Sequence, residues 1–412
     1  MILEINGNKK LKGEIKICGA KNSSIPCLIA SLLSPKPVKL YNIPLISDIN
    51  VVLNILQEIN VKVDNNLEYF LIDQSQLKYV SLKIDEIKRL RASYYFMGVF
   101  LALFSQVEIY YPGGCAFEDR PIDFHLNGFK TYGAEYEACD KVIKIYRKKN
   151  LSGKFILPKK SVGATINLLL SFATSKEMCI IENASTEPEV KDVLKLLQKM
   201  GYQYFITEKE IIYNGYVIIN DVVSHHVISD RIVALSYIYL ALALGEIKII
   251  GDFYPLIKEE IINLKNKKAD ITIFDDGLLV KISKLDNFNV IADVYPHFPT
   301  DLIQVISPLL TQTNTSYLED RIFDKRIETI LDLKLFKANV ALYGKKVVFN
   351  RSELVKANTE AKDLRHSFML VFAALMAKGT SFIKNGEYLL RGYPNIINDL
   401  KKLGANIKIK NS

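Results

Sequence analysis

The sequence has no apolar run of the ~18 to 20 residues that a membrane-spanning helix requires, and its dense apolar stretch YYFMGVFLALF (Tyr94–Phe104) reads as a buried element of a folded domain. The opening residues MILEINGNKKLKGEIK carry charge from the fourth position and lack the uninterrupted apolar segment of a secretory signal. A cytoplasmic protein without a membrane partner is therefore expected. Cysteine is scarce: Cys18, Cys27, Cys115, Cys139 and Cys179 are odd in number and form no C-x-x-C pair, which argues against a disulfide framework or a zinc cluster. The five histidines have no metal-binding spacing either. His225 and His226 are adjacent, would point to opposite faces of a strand, and read best as two polar residues in a connection. Neither a metal nor a cofactor is expected.

Arginine is the other scarcity. Of 54 basic residues 44 are lysine and 10 arginine. Lysine supplies surface charge, whereas arginine offers a planar, permanently charged fork suited to carboxylate and phosphate, so each arginine marks a position worth placing. The net charge of +9 is spread along the chain rather than gathered into a basic arm or one helix, and no nucleic-acid partner is expected.

At 412 residues the chain is too long for one ordinary core. One pattern recurs six times: a β-rich run, a turn, an amphipathic helix, then a strand. SPKPVKLYNIPLISDINVVLNILQEINVKV is the first copy and GTSFIKNGEYLLRGYPNIINDLKKLGANIKI the last. The turns that close the helices fall at Asn60, Gly133, Gly201, Lys268, Lys337 and Gly404, at intervals of 67 to 73 residues. Glycine or asparagine suits such a turn because the residue after a helix commonly goes left-handed; lysine in two copies departs from that preference. Val193, Leu194, Leu196, Leu197 and Met200 illustrate the apolar stripe of each helix. The reading is α/β, six β-α-β-type units in two pseudo-threefold domains, with a ligand cleft between them.

The stretch YYPGGCAFEDRP (Tyr110–Pro121) places a cysteine after two glycines and before two acids and an arginine. Glycine pairs and clustered charges mark a loop. A loop thiol near arginine is an accessible, electropositive setting for thiolate chemistry, although a free cysteine is more often a small buried apolar residue.

Several stretches in this order carry a resemblance: GAKN (Gly19–Asn22), RASYYFMG (Arg91–Gly98), PGGC with RPID (Pro112–Asp123), SVGATINLLL (Ser161–Leu170), IENASTEPEV (Ile181–Val190), FPTD (Phe298–Asp301), DLRHS (Asp363–Ser367) and RGY (Arg391–Tyr393). Over essentially the entire chain the sequence resembles the enolpyruvyl transferase superfamily, and within it the UDP-N-acetylglucosamine enolpyruvyl transferases. The resemblance implies two inside-out α/β barrel domains, residues 21–228 and residues 1–20 with 229–412, with the active site in the interdomain cleft. It implies transfer of the enolpyruvyl group of phosphoenolpyruvate to the 3-hydroxyl of UDP-N-acetylglucosamine, releasing phosphate, in peptidoglycan synthesis. The alternatives are a transferase for another UDP-sugar and a non-catalytic UDP-sugar-binding relative.

By the same resemblance Lys21, Arg120 and Arg391 would hold phosphoenolpyruvate, and Cys115 would act as general acid or form a covalent adduct. Asp301 would be the base for the sugar hydroxyl, and its position also suits a helix N-cap. Asn22 would orient the sugar. Ser161, Val162 and Gly163 would contact uridine and diphosphate, with Pro121, Asp123 and Ile322 near the nucleotide and sugar. Arg91, Arg326 and Arg365 complete the cationic set. The chain departs from the family pattern at Ser47, where lysine is usual, at Glu118 and Asp119, and at His366, Leu390 and Pro394.

Overall fold

The structure is a computed structural model and describes residues 1–66, 68–113 and 122–410. The chain forms two compact units, Met1–Cys18 with Ser229–Ser412, and Gly19–Ile228. The first crossing thus falls between residues 18 and 19, two residues before the expected boundary.

Six sheets occur among the described residues, three in each unit. In the Gly19–Ile228 unit, strand Val38–Tyr41 runs into helix Ser47–Glu58, which leads to the hairpin of Lys62–Asn65 and Tyr69–Asp73. The last partner, Val223–His226, joins Val38–Tyr41 in parallel. The same order of strand, helix, hairpin and parallel partner recurs from Cys179–Glu182 through helix Pro188–Lys199, with Gly153–Ile156 as the parallel partner. It recurs again from Gln106–Tyr110 through helix Asp123–Thr131, where the parallel partner shrinks to one bridge between Leu82 and Ile109.

The other unit repeats this order three times, beginning at strands Gly245–Ile250, Thr315–Asp320 and Thr380–Lys384. In the last copy the chain's own start completes the sheet, because Ile2–Asn6 lies between Thr380–Lys384 and Asn406–Lys410. That pairing assigns the first 18 residues to the C-terminal half.

Burial explains the layering within each unit. Helix Pro188–Lys199 opens on proline, which suits a first helical position. It buries Val190, Val193, Leu194, Leu196 and Leu197, each contributing about 1.5 to 3 kcal/mol, and leaves lysines outside. A second set of helices has no polar face: all residues of Arg231–Leu244 are buried, and so are nearly all of Leu364–Met376, Val162–Ser171 and Tyr95–Phe104. Helices apolar all round belong in a core, and these are central to the two hydrophobic clusters. Sheets lie outside them; strands such as Ala134–Cys139 and Asn406–Lys410 are largely exposed. Helices inside and sheets outside is the inside-out arrangement expected. Where Tyr95–Phe104 meets Val162–Ser171, Gly98 is obligatory, since a Cβ there would lie 2.2 Å from the Asn167 carbonyl oxygen.

All six closing turns are left-handed: φ is 63° at Asn60, 102° at Gly133 and Gly201, 71° at Lys268, 64° at Lys337 and 95° at Gly404. Lysine is tolerated at two of them because both side chains are exposed and unbranched at Cβ, so the strain stays local to the backbone. One expectation is corrected. His225 and His226 lie on strand Val223–His226 rather than in a connection, with His225 buried and His226 exposed, because Val223 and His225 face the core against Val38 and Leu40.

Candidate active site

In the Gly19–Ile228 unit, Lys21 is the first residue of helix Lys21–Ala30, and its Nζ pairs with Asp48 Oδ2 at 2.5 Å. Asp48 stands in the first turn of helix Ser47–Glu58, next to the serine that replaces the usual lysine. Gly19 of the GAKN stretch is required by packing, since a Cβ would lie 1.7 Å from the Asn42 carbonyl oxygen. Asn22 is exposed on the same first turn.

Behind it a buried network fixes the helix. Asp192 accepts hydrogen bonds from Ser23 Oγ at 2.5 Å, His225 Nε2 at 3.0 Å and the Ile228 amide at 3.4 Å. The ligand atoms of Cys27, Asp192 and His225 lie within 4.8 Å of one another. Sequence spacing could not reveal this group, because its members come from three distant elements. The carboxylate is taken up by hydrogen bonds, and the network ties the Lys21 helix to helix Pro188–Lys199 and strand Val223–His226.

The nucleotide-binding candidates of this unit gather around Tyr94 and His125. Ser161 caps helix Val162–Ser171, its hydroxyl accepting from the Ala164 amide at 3.2 Å. Val162 and Gly163 form the first turn, and a Cβ on Gly163 would lie 2.4 Å from Tyr94 Oη. The Tyr94 ring packs over His125 at 4.5 Å. Asp123, exposed, is the first residue of the helix that carries His125. Asn167 donates its side-chain amide to His125 Nδ1 at 2.9 Å while its oxygen accepts from the Gly98 amide. Burial first, then the positive charge of Arg91, pushes the His125 pKa down to about 3, so the ring is neutral and carries its proton on Nε2. Arg91 donates from Nη1 to the Pro112 carbonyl at 3.3 Å. Cys115, Arg120 and Pro121 lie outside the described residues, as do Glu118 and Asp119.

In the other unit the structure joins three predicted residues directly. Arg326 Nη1 donates to Asp301 Oδ1 at 2.7 Å, and Arg365 Nη2 donates to Asp301 Oδ2 at 3.3 Å. Asp301 sits in the short 3-10 turn Thr300–Leu302, whose cap position is Pro299, and helix Ile303–Leu310 begins after Leu302; neither has a side-chain cap. The N-cap expectation for Asp301 is therefore wrong. Two guanidinium groups offer an ionised carboxylate stronger hydrogen bonds than backbone amides do, and the side chain turns to them.

Arg326 also donates to Thr300 Oγ1 at 3.2 Å and lies over the Phe323 ring. The exposed Ile322 lies two residues after Asp320, whose carboxylate accepts from the Ile322 and Phe323 amides and from the Thr300 hydroxyl. Arg391 ends the 3-10 helix Gly386–Arg391, two residues before the buried Tyr393 that accepts from Arg365. His366 is fully buried, with Nδ1 accepting from the Lys362 amide and Nε2 3.1 Å from Asp332 Oδ2. It packs within the unit beside Arg365. The sequence reading did not single out Asp48, Tyr94, His125, Asn167 and Tyr393, which the structure places beside the candidate residues; Tyr94, Asn167 and Tyr393 stand within the motif stretches.

Two units of three sheets around buried helices, one of them carrying an aspartate clamped by two arginines, is the build of an enolpyruvyl transferase. The family model described as EPSP synthase (3-phosphoshikimate 1-carboxyvinyltransferase) matches residues 5–400. The enolpyruvyl transferase NikO from Streptomyces tendae superposes with a TM-score of 0.91 at 19% identity, covering 100% of this chain and 99% of that one. EPSP synthase from Acinetobacter baumannii superposes with a TM-score of 0.78 at 16% identity, covering both chains completely. At these identities the likeness establishes the fold.

Among curated proteins, UDP-N-acetylglucosamine 1-carboxyvinyltransferase 2 of Staphylococcus epidermidis is 36% identical over 411 residues, and its namesake from Streptococcus mutans 37% identical over 411 residues, each alignment covering 98% of both chains. The chain belongs to the UDP-N-acetylglucosamine 1-carboxyvinyltransferase family.

No described helix is long and apolar enough to cross a membrane.

Proposed function

We propose that the protein transfers the enolpyruvyl group of phosphoenolpyruvate to the 3-hydroxyl of UDP-N-acetylglucosamine with release of phosphate, the first committed step of peptidoglycan synthesis, in the cytoplasm. The observation that carries this reading is the relationship at 36 to 37% identity, across 98% of the chain, to proteins bearing that name.

In this reading the sugar oxygen attacks the central carbon of phosphoenolpyruvate. The hydroxyl proton passes to the Asp301 carboxylate, and the methylene carbon takes a proton from Cys115. The tetrahedral adduct then expels phosphate and returns a proton from its methyl carbon to the Cys115 thiolate, restoring the double bond, while the proton held by Asp301 leaves with the phosphate. Lys21, Arg120 and Arg391 hold the phosphate and carboxylate of phosphoenolpyruvate, where paired cations also stabilise developing charge. Asn22 orients the sugar. Ser161, Val162 and Gly163, with Arg91, Pro121, Asp123 and Ile322, hold the nucleotide.

The geometry supports the role of Asp301 on two counts. Arg326 and Arg365 hold both carboxylate oxygens, which fixes their direction. The side chain nevertheless keeps 27% of its surface open.

The test is phosphate release measured with phosphoenolpyruvate and UDP-N-acetylglucosamine together, with each alone, and with shikimate 3-phosphate as a rival acceptor. Release that needs both of the first pair supports the reading. Release with shikimate 3-phosphate alone as acceptor overturns it.

A further inference from the structure

Arg365 is the less exposed of the two arginines on Asp301, with 8% of its side chain accessible, and something must set the direction of its fork. Its Nε is buried without a hydrogen-bond partner, so its orientation rests on its two terminal nitrogens. Nη2 donates to Asp301 Oδ2 at 3.3 Å, and Nη1 donates to Tyr393 Oη at 3.2 Å. Tyr393 Oη lies 2.8 Å from Ser236 Oγ, and Ser236 Oγ lies 2.7 Å from the Ile232 carbonyl oxygen.

Counting protons fixes the direction of this chain. A carbonyl can only accept, so the single hydroxyl proton of Ser236 goes to Ile232. Ser236 must then accept from the Tyr393 hydroxyl, which leaves the Tyr393 oxygen free to accept from Arg365. The charges agree with that order. Burial acts to lower the Arg365 pKa, but Tyr393, Asp301 and Asp230 outweigh it and leave it above its ordinary value, so the guanidinium stays protonated. Burial raises the Tyr393 pKa against the opposing pull of Arg365 and Ser236, so the phenol stays neutral. The ring cannot swing away, because it is 1% exposed and stacks on Phe368 at 4.9 Å and 21°.

We propose that Tyr393, held by Ser236 on helix Arg231–Leu244, is a positioning residue for the reaction: it aims the Arg365 fork and thereby the direction in which the Asp301 carboxylate faces the sugar hydroxyl. The proposal rests on Asp301 being the base. It assigns Tyr393 and Ser236 a catalytic consequence although neither need touch a substrate.

Tyr393→Phe deletes one oxygen and keeps the stacked ring. Losing one charge-assisted hydrogen bond should lower kcat about tenfold, with a smaller change in UDP-N-acetylglucosamine affinity by calorimetry and a melting temperature close to wild type. The deciding measurement is a double-mutant cycle on kcat with Asp301→Asn. If Tyr393 acts through Asp301, Tyr393→Phe should cost less than about threefold in the Asp301→Asn background; an undiminished tenfold loss there overturns the proposal. A cycle with Arg365→Lys gives the same decision when Asp301→Asn is too slow to follow. Ser236→Ala, which removes the acceptor for the phenol, should lower kcat in the same direction, and wild-type turnover in both Tyr393→Phe and Ser236→Ala also overturns it. Near-wild-type turnover of Asp301→Asn alone is a different failure, because it removes the base itself.

Discussion

Replacing Asp301 by asparagine separates the two things this carboxylate does in the structure. It neutralises Arg326 and Arg365, whose side chains are 11% and 8% exposed, and in the proposed reaction it takes a proton. Asparagine keeps the shape and one oxygen acceptor, but its amide turns a donor toward one guanidinium. Breaking a buried ion pair by removing one partner costs about 3 to 5 kcal/mol. Asp301 is 27% exposed, so water recovers part of that, and about 2 to 3 kcal/mol is the expected loss of stability. In a unit of roughly 200 residues this lowers the melting temperature by about 4 to 12 °C. The loss in catalysis should be larger in kind: general-base help is worth about 10²- to 10⁴-fold, seen mainly in kcat, as for an interaction made chiefly in the transition state. Thermal unfolding, calorimetry of UDP-N-acetylglucosamine binding and steady-state kinetics well below the melting point measure the three effects separately. A variant that melts earlier yet turns over at near-wild-type rate would show that Asp301 is a counter-ion for two arginines and nothing more.

Three other outcomes are expected. His125 has an ordinary value of 6.5 and a folded value of about 3, so below pH 6.5 the unfolded chain binds a proton that the folded one refuses. Stability is then full above about pH 6.5 and falls toward pH 3, by about 2 kcal/mol at pH 5; urea unfolding near pH 7 and pH 5 should show this slope in the wild type, and an unchanged slope in His125→Asn would refute the assignment. If Cys115 is the reactive thiol of the proposed function, the epoxide fosfomycin should modify it and spare Cys18, Cys27 and Cys179. Burial, with Asp230 adding, pushes Cys18 up to about 12, burial holds Cys27 well above its ordinary value, and burial raises Cys179 to about 12, so peptide mass spectrometry finding adducts on any of these would contradict the structure. Lys337→Gly should stabilise the protein by about 0.5 to 1 kcal/mol by relieving a left-handed lysine. Gly201→Ala should destabilise it by more than that, since a Cβ would lie 2.1 Å from the Val217 carbonyl oxygen; melting temperatures moving in the same direction for both variants would count against the repeat reading.

The six-fold repeat was legible because each copy ends its amphipathic helix on a backbone reversal, and five nearly equal intervals are hard to miss even where lysine replaces glycine. The central helices were less legible as helices, since Arg231–Leu244 is buried all round and carries no apolar-polar period. Their burial was predictable only where the apolar run is dense, as in Tyr94–Phe104. The His225 strand escaped because it is four residues long and its alternation is no stronger than that of a connection.

Within the site, motif stretches located Lys21, Asp301 and Arg365, and the resemblance as a whole added Arg326, but no local pattern says that Arg326 and Arg365, 25 and 64 residues beyond Asp301, meet on one carboxylate. That fact belongs to the packing of three elements, as does the placement of Asp48 against Lys21 and of Tyr393 against Arg365. The N-cap expectation for Asp301 failed for the same reason: local rules rank the backbone as partner, and distant arginines compete better.

The most direct test of the central claim is the structure of the product. Phosphoenolpyruvate and UDP-N-acetylglucosamine should be incubated with the purified wild-type protein, and the nucleotide fraction examined by mass spectrometry and by NMR correlation between the vinyl and sugar-ring protons. The account predicts an enolpyruvyl ether at the 3-hydroxyl of the N-acetylglucosamine ring, formed in step with phosphate. Unchanged sugar nucleotide under conditions where it binds, or an enolpyruvyl group carried on a different acceptor or position, would contradict it.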